Sequence, residues 1–410
     1  MRPMGNYVFT AAARFSLIAG QLAYVKLVTH YLDLPQVGMY YLLVTASYFA
    51  NALVFVPFDY FQQSTITSVF TKTRSLIYYI RPNLLISSVF LGLLLGTVLV
   101  AAFISQEAAY AIAIAGLFSI GSYVPIALRG ALNILGHSNK VNATQLLEGV
   151  LRPVVGIFFL TLTSRPSAVI LMASGCLTSF IISAILIREL LKAKVFTVPL
   201  ADSPIWSWRD VLAVTSPISA SAITNWIQLQ GYRIVLVPLG YADAVGIYSV
   251  MSNLGHAGMG AISGIYSQVN LPKIYRNSGS DIGRYLIGIG SLTLAGAVGV
   301  LIFGSFLVPL VTNNSYKAYF HIATFGVLIE GGAGIIGCLT VYFAIKSRTK
   351  IVATSGILAA CLSCLGIAFL YLTGSISPLS VGSVLLISQC ISVIALYFSY
   401  LKSRKVFFGR

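Results

Sequence analysis

The chain has 410 residues, 57% hydrophobic and only 9% charged, where ordinary soluble domains carry about a quarter charged residues. No polar stretch is long enough to build a water-soluble domain, so the composition excludes a soluble enzyme and specifies a polytopic membrane protein. The formal charge of +16, from 26 Lys and Arg against 10 Asp and Glu, reads in so apolar a chain as loop cations facing anionic lipid and cytoplasm, not as a nucleic-acid surface.

Crossing a bilayer core takes roughly 20 apolar residues in a helix. On that template twelve spans are predicted, at 7–30, 37–61, 83–105, 108–134, 142–163, 167–189, 210–236, 244–269, 285–311, 318–345, 351–373 and 379–401. Transmembrane strands are about ten residues long with alternating polarity; these segments are twice that and apolar all round, so the expected fold class is all-α. The start, Met1-Arg2 before an apolar run, resembles a signal peptide, but the run holds Arg14 and is read as a retained first helix.

The first span carries Arg14, Gln21 and Lys26. Charges inside a membrane helix usually face a protein interior or an aqueous cavity. Arg14 and Gln21, seven residues apart, share one helical face and are read as lining a passage. Lys26, nearer the outer end, is either a passage residue or an interfacial anchor. A polar break at Asp33–Gln36 leads into the second span, which opens Val37-Gly38-Met39-Tyr40 and ends near Asp59, a candidate for ion coupling or for pairing with the basic loop after it. Gly92 and Gly96 in the third span have the spacing that lets helix backbones approach. In the fourth, Arg129 follows Pro125 and is read as lining an inward-facing mouth or as a plain loop-edge cation.

Arg152 is the most informative single residue. It lies about ten residues into the fifth span, roughly 15 Å deep at 1.5 Å per residue, where snorkelling to either surface is difficult. Glu148 precedes it by one turn on the same face, and Pro153 frees the carbonyl of Gly149. Arg152 is read as a lumen cation meeting an anionic substrate, against a buried structural ion pair.

The cytoplasmic loop from about 190 to 209, with Pro199 and Pro204 and with Trp206 and Trp208 as interface anchors, divides the spans six and six. Two six-helix bundles are expected, at 1–195 and 196–410. In the seventh span Ser216-Pro217 is read as a break, and Gln228 and Arg233 as substrate-binding residues. Gly260 and Gly264 repeat the close-packing spacing. The tenth span holds Gly326, Gly331, Gly332, Gly334 and Gly337, with Glu330 as an ion-coupling carboxylate or as the partner of an arginine in the opposing bundle. His256 and His321 are read as packing or interface residues. Cys176, Cys338, Cys361, Cys364 and Cys390 are read as small apolar packing residues. There is no Walker loop, HExxH or serine-base motif, and no cofactor or metal site is expected.

An internal repeat supports the division. Tyr24, Val37, Gly38 and Tyr40 recur as Tyr232, Val245, Gly246 and Tyr248, and Tyr60 and Gln62 as Tyr266 and Gln268, at offsets close to half the length. With the amino terminus inside, 20 of the 26 Lys and Arg fall on the cytoplasmic side and only Arg165 and Lys317 on the outer side. That bias places both termini in the cytoplasm.

Twelve spans in a six-plus-six repeat, the Val37-Gly38-Met39-Tyr40 start and a basic interior resemble the polysaccharide-transporter branch of the MATE-like (MOP) superfamily, above all the Wzx-type O-antigen flippases of Gram-negative bacteria. The resemblance implies two pseudo-symmetric bundles in the inner membrane that translocate undecaprenyl-pyrophosphate-linked oligosaccharide, the O-antigen repeat of lipopolysaccharide, outward by alternating access. It also implies a polymerase and a chain-length regulator as partners beside membrane lipids, and H+ or Na+ as coupling ion. Arg14, Arg152 and Arg233, with Lys26 and Arg129, would replace the hydration that the anionic head group loses. The rival readings are a cation-coupled multidrug antiporter of the same fold, which needs acidic cavities, and a polytopic enzyme of polysaccharide assembly (polymerase, ligase or acyltransferase), which needs an outer loop or an intramembrane catalytic set.

Overall fold

The computed structural model describes residues 4–55, 57–59, 61–62, 77–163, 165–192, 208–276, 281–346, 348 and 350–408. Among them there is no strand. The described residues form twelve long helices in succession: α1 (Met4–Tyr31), α2 (Leu34–Ala50), α3 (Ile77–Ile104), α4 (Gln106–Ile134), α5 (Ser138–Thr161), α6 (Ala168–Lys192), α7 (Trp208–Leu236), α8 (Ala242–Arg276), α9 (Ile282–Val311), α10 (Ala323–Ile345), α11 (Lys350–Leu372) and α12 (Pro378–Phe408). They coincide in order and number with the twelve predicted spans.

Several boundaries differ from expectation. The second span changes winding, because α2 passes into a π-helical segment at Asn51–Phe55. The tenth is preceded by a 3-10 segment at Asn314–Ile322. Helices α8 and α12 run seven residues past their predicted ends, to Arg276 and Phe408. The break expected at Ser216-Pro217 is absent: α7 is helical throughout. Neighbouring helices and side chains in a membrane bundle can re-satisfy the one backbone bond a proline removes.

Among the described residues ten helical segments are long and apolar enough to cross a bilayer, and the chain is a multi-pass membrane protein. α7 and α8 are outside that set because they carry the polar residues of interest, among them Gln228, Arg233, Asp243 and His256.

By backbone contacts the chain gathers into two units, Met1–Leu32 with Leu42–Ile223, and Asp33–Tyr41 with Thr224–Arg410. In the first unit α1 lies on α5, α5 on α6, and α4 between α6 and α3. The α1–α5 contact is made by main chain. A Cβ on Gly20 would overlap the Gly149 carbonyl, and one on Gly149 would overlap Ser16. Asn142 Nδ2 donates to Thr10 Oγ1 (2.8 Å) and Ser16 Oγ to the Leu146 carbonyl (3.1 Å) along the same seam. In the second unit α10 packs on α8 and α9, and α12 on α10 and α11. There Gly255 meets the Ala323 carbonyl and Gly326 the Ser252 carbonyl, again with no room for a side chain.

Gly92 and Gly96 do not behave this way. A Cβ at either would meet nothing within 4 Å, because α3 presents Leu84, Leu93, Leu95, Leu99 and Phe103 on an exposed apolar surface. Gly260 touches a carboxylate side chain instead of a backbone, and Gly264 meets nothing within 4 Å. The cysteines divide likewise: Cys176 and Cys338 are packed inside, whereas Cys361, Cys364 and Cys390 lie on exposed helix faces.

The repeated motif closes on itself. Val37 and Val245 are both buried. A Cβ on Gly38 would overlap the Ala242 carbonyl, and one on Gly246 would sit 3.0 Å from the Leu34 carbonyl and from the Gly38 nitrogen. Ala242 stands 208 residues after Leu34, as Gly246 stands after Gly38. The two copies therefore make reciprocal contacts, as a two-fold relation requires.

Candidate functional site

In the first unit the close approach of backbones sets the level of the fifth span's polar face. Glu148 and Arg152 are one turn apart on α5, and Arg152 Nη2 donates to Glu148 Oε1 at 3.3 Å. From α4, Arg129 Nη2 donates to Glu148 Oε2 at 2.6 Å, while its Nη2 and Nε also reach the Thr144 carbonyl and hydroxyl at 3.3 and 3.4 Å. One carboxylate thus bridges two guanidiniums, leaving the cluster with one net positive charge. Arg129 and Glu148 are 12% exposed and Arg152 26%, so the cluster is sheltered but open on the Arg152 side. The Nε of Arg152 is buried and has no hydrogen-bond partner, a state that costs roughly 1–3 kcal/mol in protein interiors. The Tyr24 hydroxyl lies in electrostatic range of Arg152 and is fixed from α6, donating to the Leu171 carbonyl and sharing a hydrogen bond with Ser174 Oγ at 2.9 Å.

Arg14, Gln21 and Lys26 are all exposed on α1. Asp59 is buried at 7% exposure and acts electrostatically on Tyr123; the basic loop expected to pair with it lies mostly outside the described residues. Tyr123 in turn donates to Asn83, and Asn83 to Gln62, in a polar cluster beneath Phe55, which stacks on Tyr123 at 4.5 Å.

In the second unit Gln228 is buried and donates to Gln389 Oε1 (2.7 Å) and Ser388 Oγ (3.3 Å), while its carbonyl accepts from Ser363 (2.8 Å). Arg233 is only 5% exposed. Its guanidinium lies 5.3 Å from the Tyr41 ring centre and 5.4 Å from that of Tyr232, donating from Nε to Tyr232 Oη at 2.9 Å and from Nη1 to Gln230 Oε1 at 3.4 Å. It is held by aromatic faces instead of being presented on a surface. Glu330 finds a partner within its own unit: its Oε2 is 3.2 Å from Nδ1 of His256 on α8, both about a third exposed. The Gly255–Gly326 crossing one turn away brings them together.

The His256–Glu330 pair, the Gln228–Gln389–Ser388 seam and the Arg129–Glu148 bond are arrangements that sequence reading missed. Glu330, among glycines that leave it unshielded, and Gln389, a lone amide in an apolar helix, were the available signals; their partners lie 74 and 161 residues away. Among the described residues no cluster of His, Cys, Asp and Glu could hold a metal ion.

No protein-family model and no curated protein matches the sequence. Solved structures do. The chain is similar to the lipid II flippase MurJ in an inward closed conformation, with a TM-score of 0.66 at 15% identity over 96% of this chain and 87% of that one. It is also similar to a MATE transporter in the straight conformation, with a TM-score of 0.61 at 13% identity over 96% and 95% of the two chains. The chain has the fold of the MOP-superfamily transporters. A third MOP-fold structure, a transporter from Pyrococcus furiosus described as having a binding pocket of reversed polarity, has a TM-score of 0.54 at 13% identity over 97% and 96%. All three are transporters or flippases; the MOP fold by itself carries no substrate.

Proposed function

We propose that the protein is a flippase for a lipid-linked oligosaccharide, an undecaprenyl-pyrophosphate-linked O-antigen repeat, moved from the cytoplasmic to the periplasmic leaflet of a Gram-negative inner membrane. The observation that carries this reading is the Arg129–Glu148–Arg152 cluster, a sheltered site with surplus positive charge and an unused donor on Arg152. Cations so placed replace the water that a pyrophosphate loses on leaving the aqueous phase. The likeness to a lipid II flippase supports the substrate class, and Arg14 and Lys26, both exposed on α1, add positive charge in the same unit. The prenyl tail stays in lipid as the head group crosses, and polymerase and chain-length regulator take up the product outside.

The test is a deletion strain complemented with the wild-type chain or with Arg152→Glu. Wild type restores surface polysaccharide. Arg152→Glu inserts normally yet leaves lipid-linked repeats accumulating on the cytoplasmic leaflet; full export by this variant rejects the reading. The His256–Glu330 pair favours one alternative, cation-coupled drug export, which predicts drug sensitivity in the same deletion strain with no accumulation of lipid-linked sugar.

A further inference from the structure

The cluster that carries the proposed function is already occupied by an anion of the protein's own. Each oxygen of Glu148 takes one guanidinium, Oε2 from Arg129 at 2.6 Å and Oε1 from Arg152 at 3.3 Å. Two oxygens on a small central atom, gripped by two planar cations, is also how a phosphoryl group is bound. The seat is unequally held. Arg129 is anchored twice more, at Thr144, whereas Arg152 makes the longer bond, is the more exposed partner and keeps its Nε without an acceptor. A carboxylate of two oxygens leaves that third donor unmet; a pyrophosphate, with more oxygens, can meet it.

We infer that Glu148 is the resident anion of an exchange seat. It neutralises Arg129 and Arg152 when no substrate is present, and it is displaced from Arg152 first when a pyrophosphate oxygen arrives. This rests on the flippase reading and adds a role to it. The arginines set attraction, and Glu148 keeps that attraction from becoming a trap, because it returns to the guanidiniums as the head group departs. Removing the competitor therefore tightens binding and slows release. A carboxylate whose task was only to hold α4 and α5 together would do neither.

The experiment uses the full chain in lipid nanodiscs, with farnesyl pyrophosphate as probe and glucuronic acid as the carboxylate control. Glu148→Gln is expected to bind the pyrophosphate at least about tenfold more tightly than wild type, equivalent to about 1.4 kcal/mol, while exporting lipid-linked repeats more slowly in cells. Glu148→Asp, too short to span both guanidiniums, falls between them. The unliganded Glu148→Gln protein melts lower than wild type, and the probe raises its melting temperature by more than it raises that of wild type, so a weakened variant still reports. Glucuronic acid gives no such difference. Unchanged or weaker pyrophosphate binding in both Glu148 variants, with Arg152→Gln still losing it, overturns the exchange seat and leaves the flippase reading standing. No pyrophosphate binding by wild type overturns both.

Discussion

At the scale of the residue, the intramembrane charges fall into two kinds. Arg152 and Glu148 were legible as a pair, because four residues apart on a helix means the same face. That Arg129 completes the cluster was not legible. Its spacing from Glu148 depends on how α4 meets α5, and a cation about one and a half turns from a helix end reads equally well as a loop charge. Arg233 teaches a second lesson: its place on a polar seventh span was visible in the sequence, its surroundings were not. Held between Tyr41 and Tyr232, it depends on a flat, delocalised cation, so Arg233→Lys keeps the charge and loses the fit. Its cost is expected at about 1–2 kcal/mol, read as a lower melting temperature in detergent, with unchanged stability as the contrary result.

At the scale of the element, composition and charge bias located twelve helices, but they could not tell which glycines are contact points. GxxxG spacing at Gly92 and Gly96 resembles a crossing and faces open surface, while Gly20 and Gly149, with no such motif, carry a crossing that leaves no room for a side chain. Spacing reports only that a face is smooth; a neighbouring helix has to arrive there. Gly20→Val is expected to destabilise the protein by about 1–3 kcal/mol through overpacking against α5 and to lower its yield in the membrane. Gly96→Val is expected to leave both unchanged. Equal behaviour of the two variants, measured by thermal melting, contradicts the α1–α5 crossing. Changes of winding, such as the π-helical Asn51–Phe55, have no signature in hydropathy, since they alter backbone bonding and not which residues are apolar.

At the scale of the whole molecule, the internal repeat was the most economical reading, because an offset near half the chain predicts two related sets of helices. It did not foresee that the opening of α2, Asp33–Tyr41, groups with the second unit; hydropathy places residues across the membrane and is silent on neighbours within it. The loop charges make a separate prediction: reporters that work only in the cytoplasm are active when fused to either terminus, and reporters that work only outside are active near Arg165 and Lys317. A periplasmic signal from either end rejects that orientation. Gly38 and Gly246 add a mechanical corollary. Interleaved side chains lock two rods like gear teeth, so that slipping costs a full notch. Where bare main chain lies on bare main chain there is no room for even a methyl group, so the duplicated glycine fixes how near the start of α2 and the start of α8 can come.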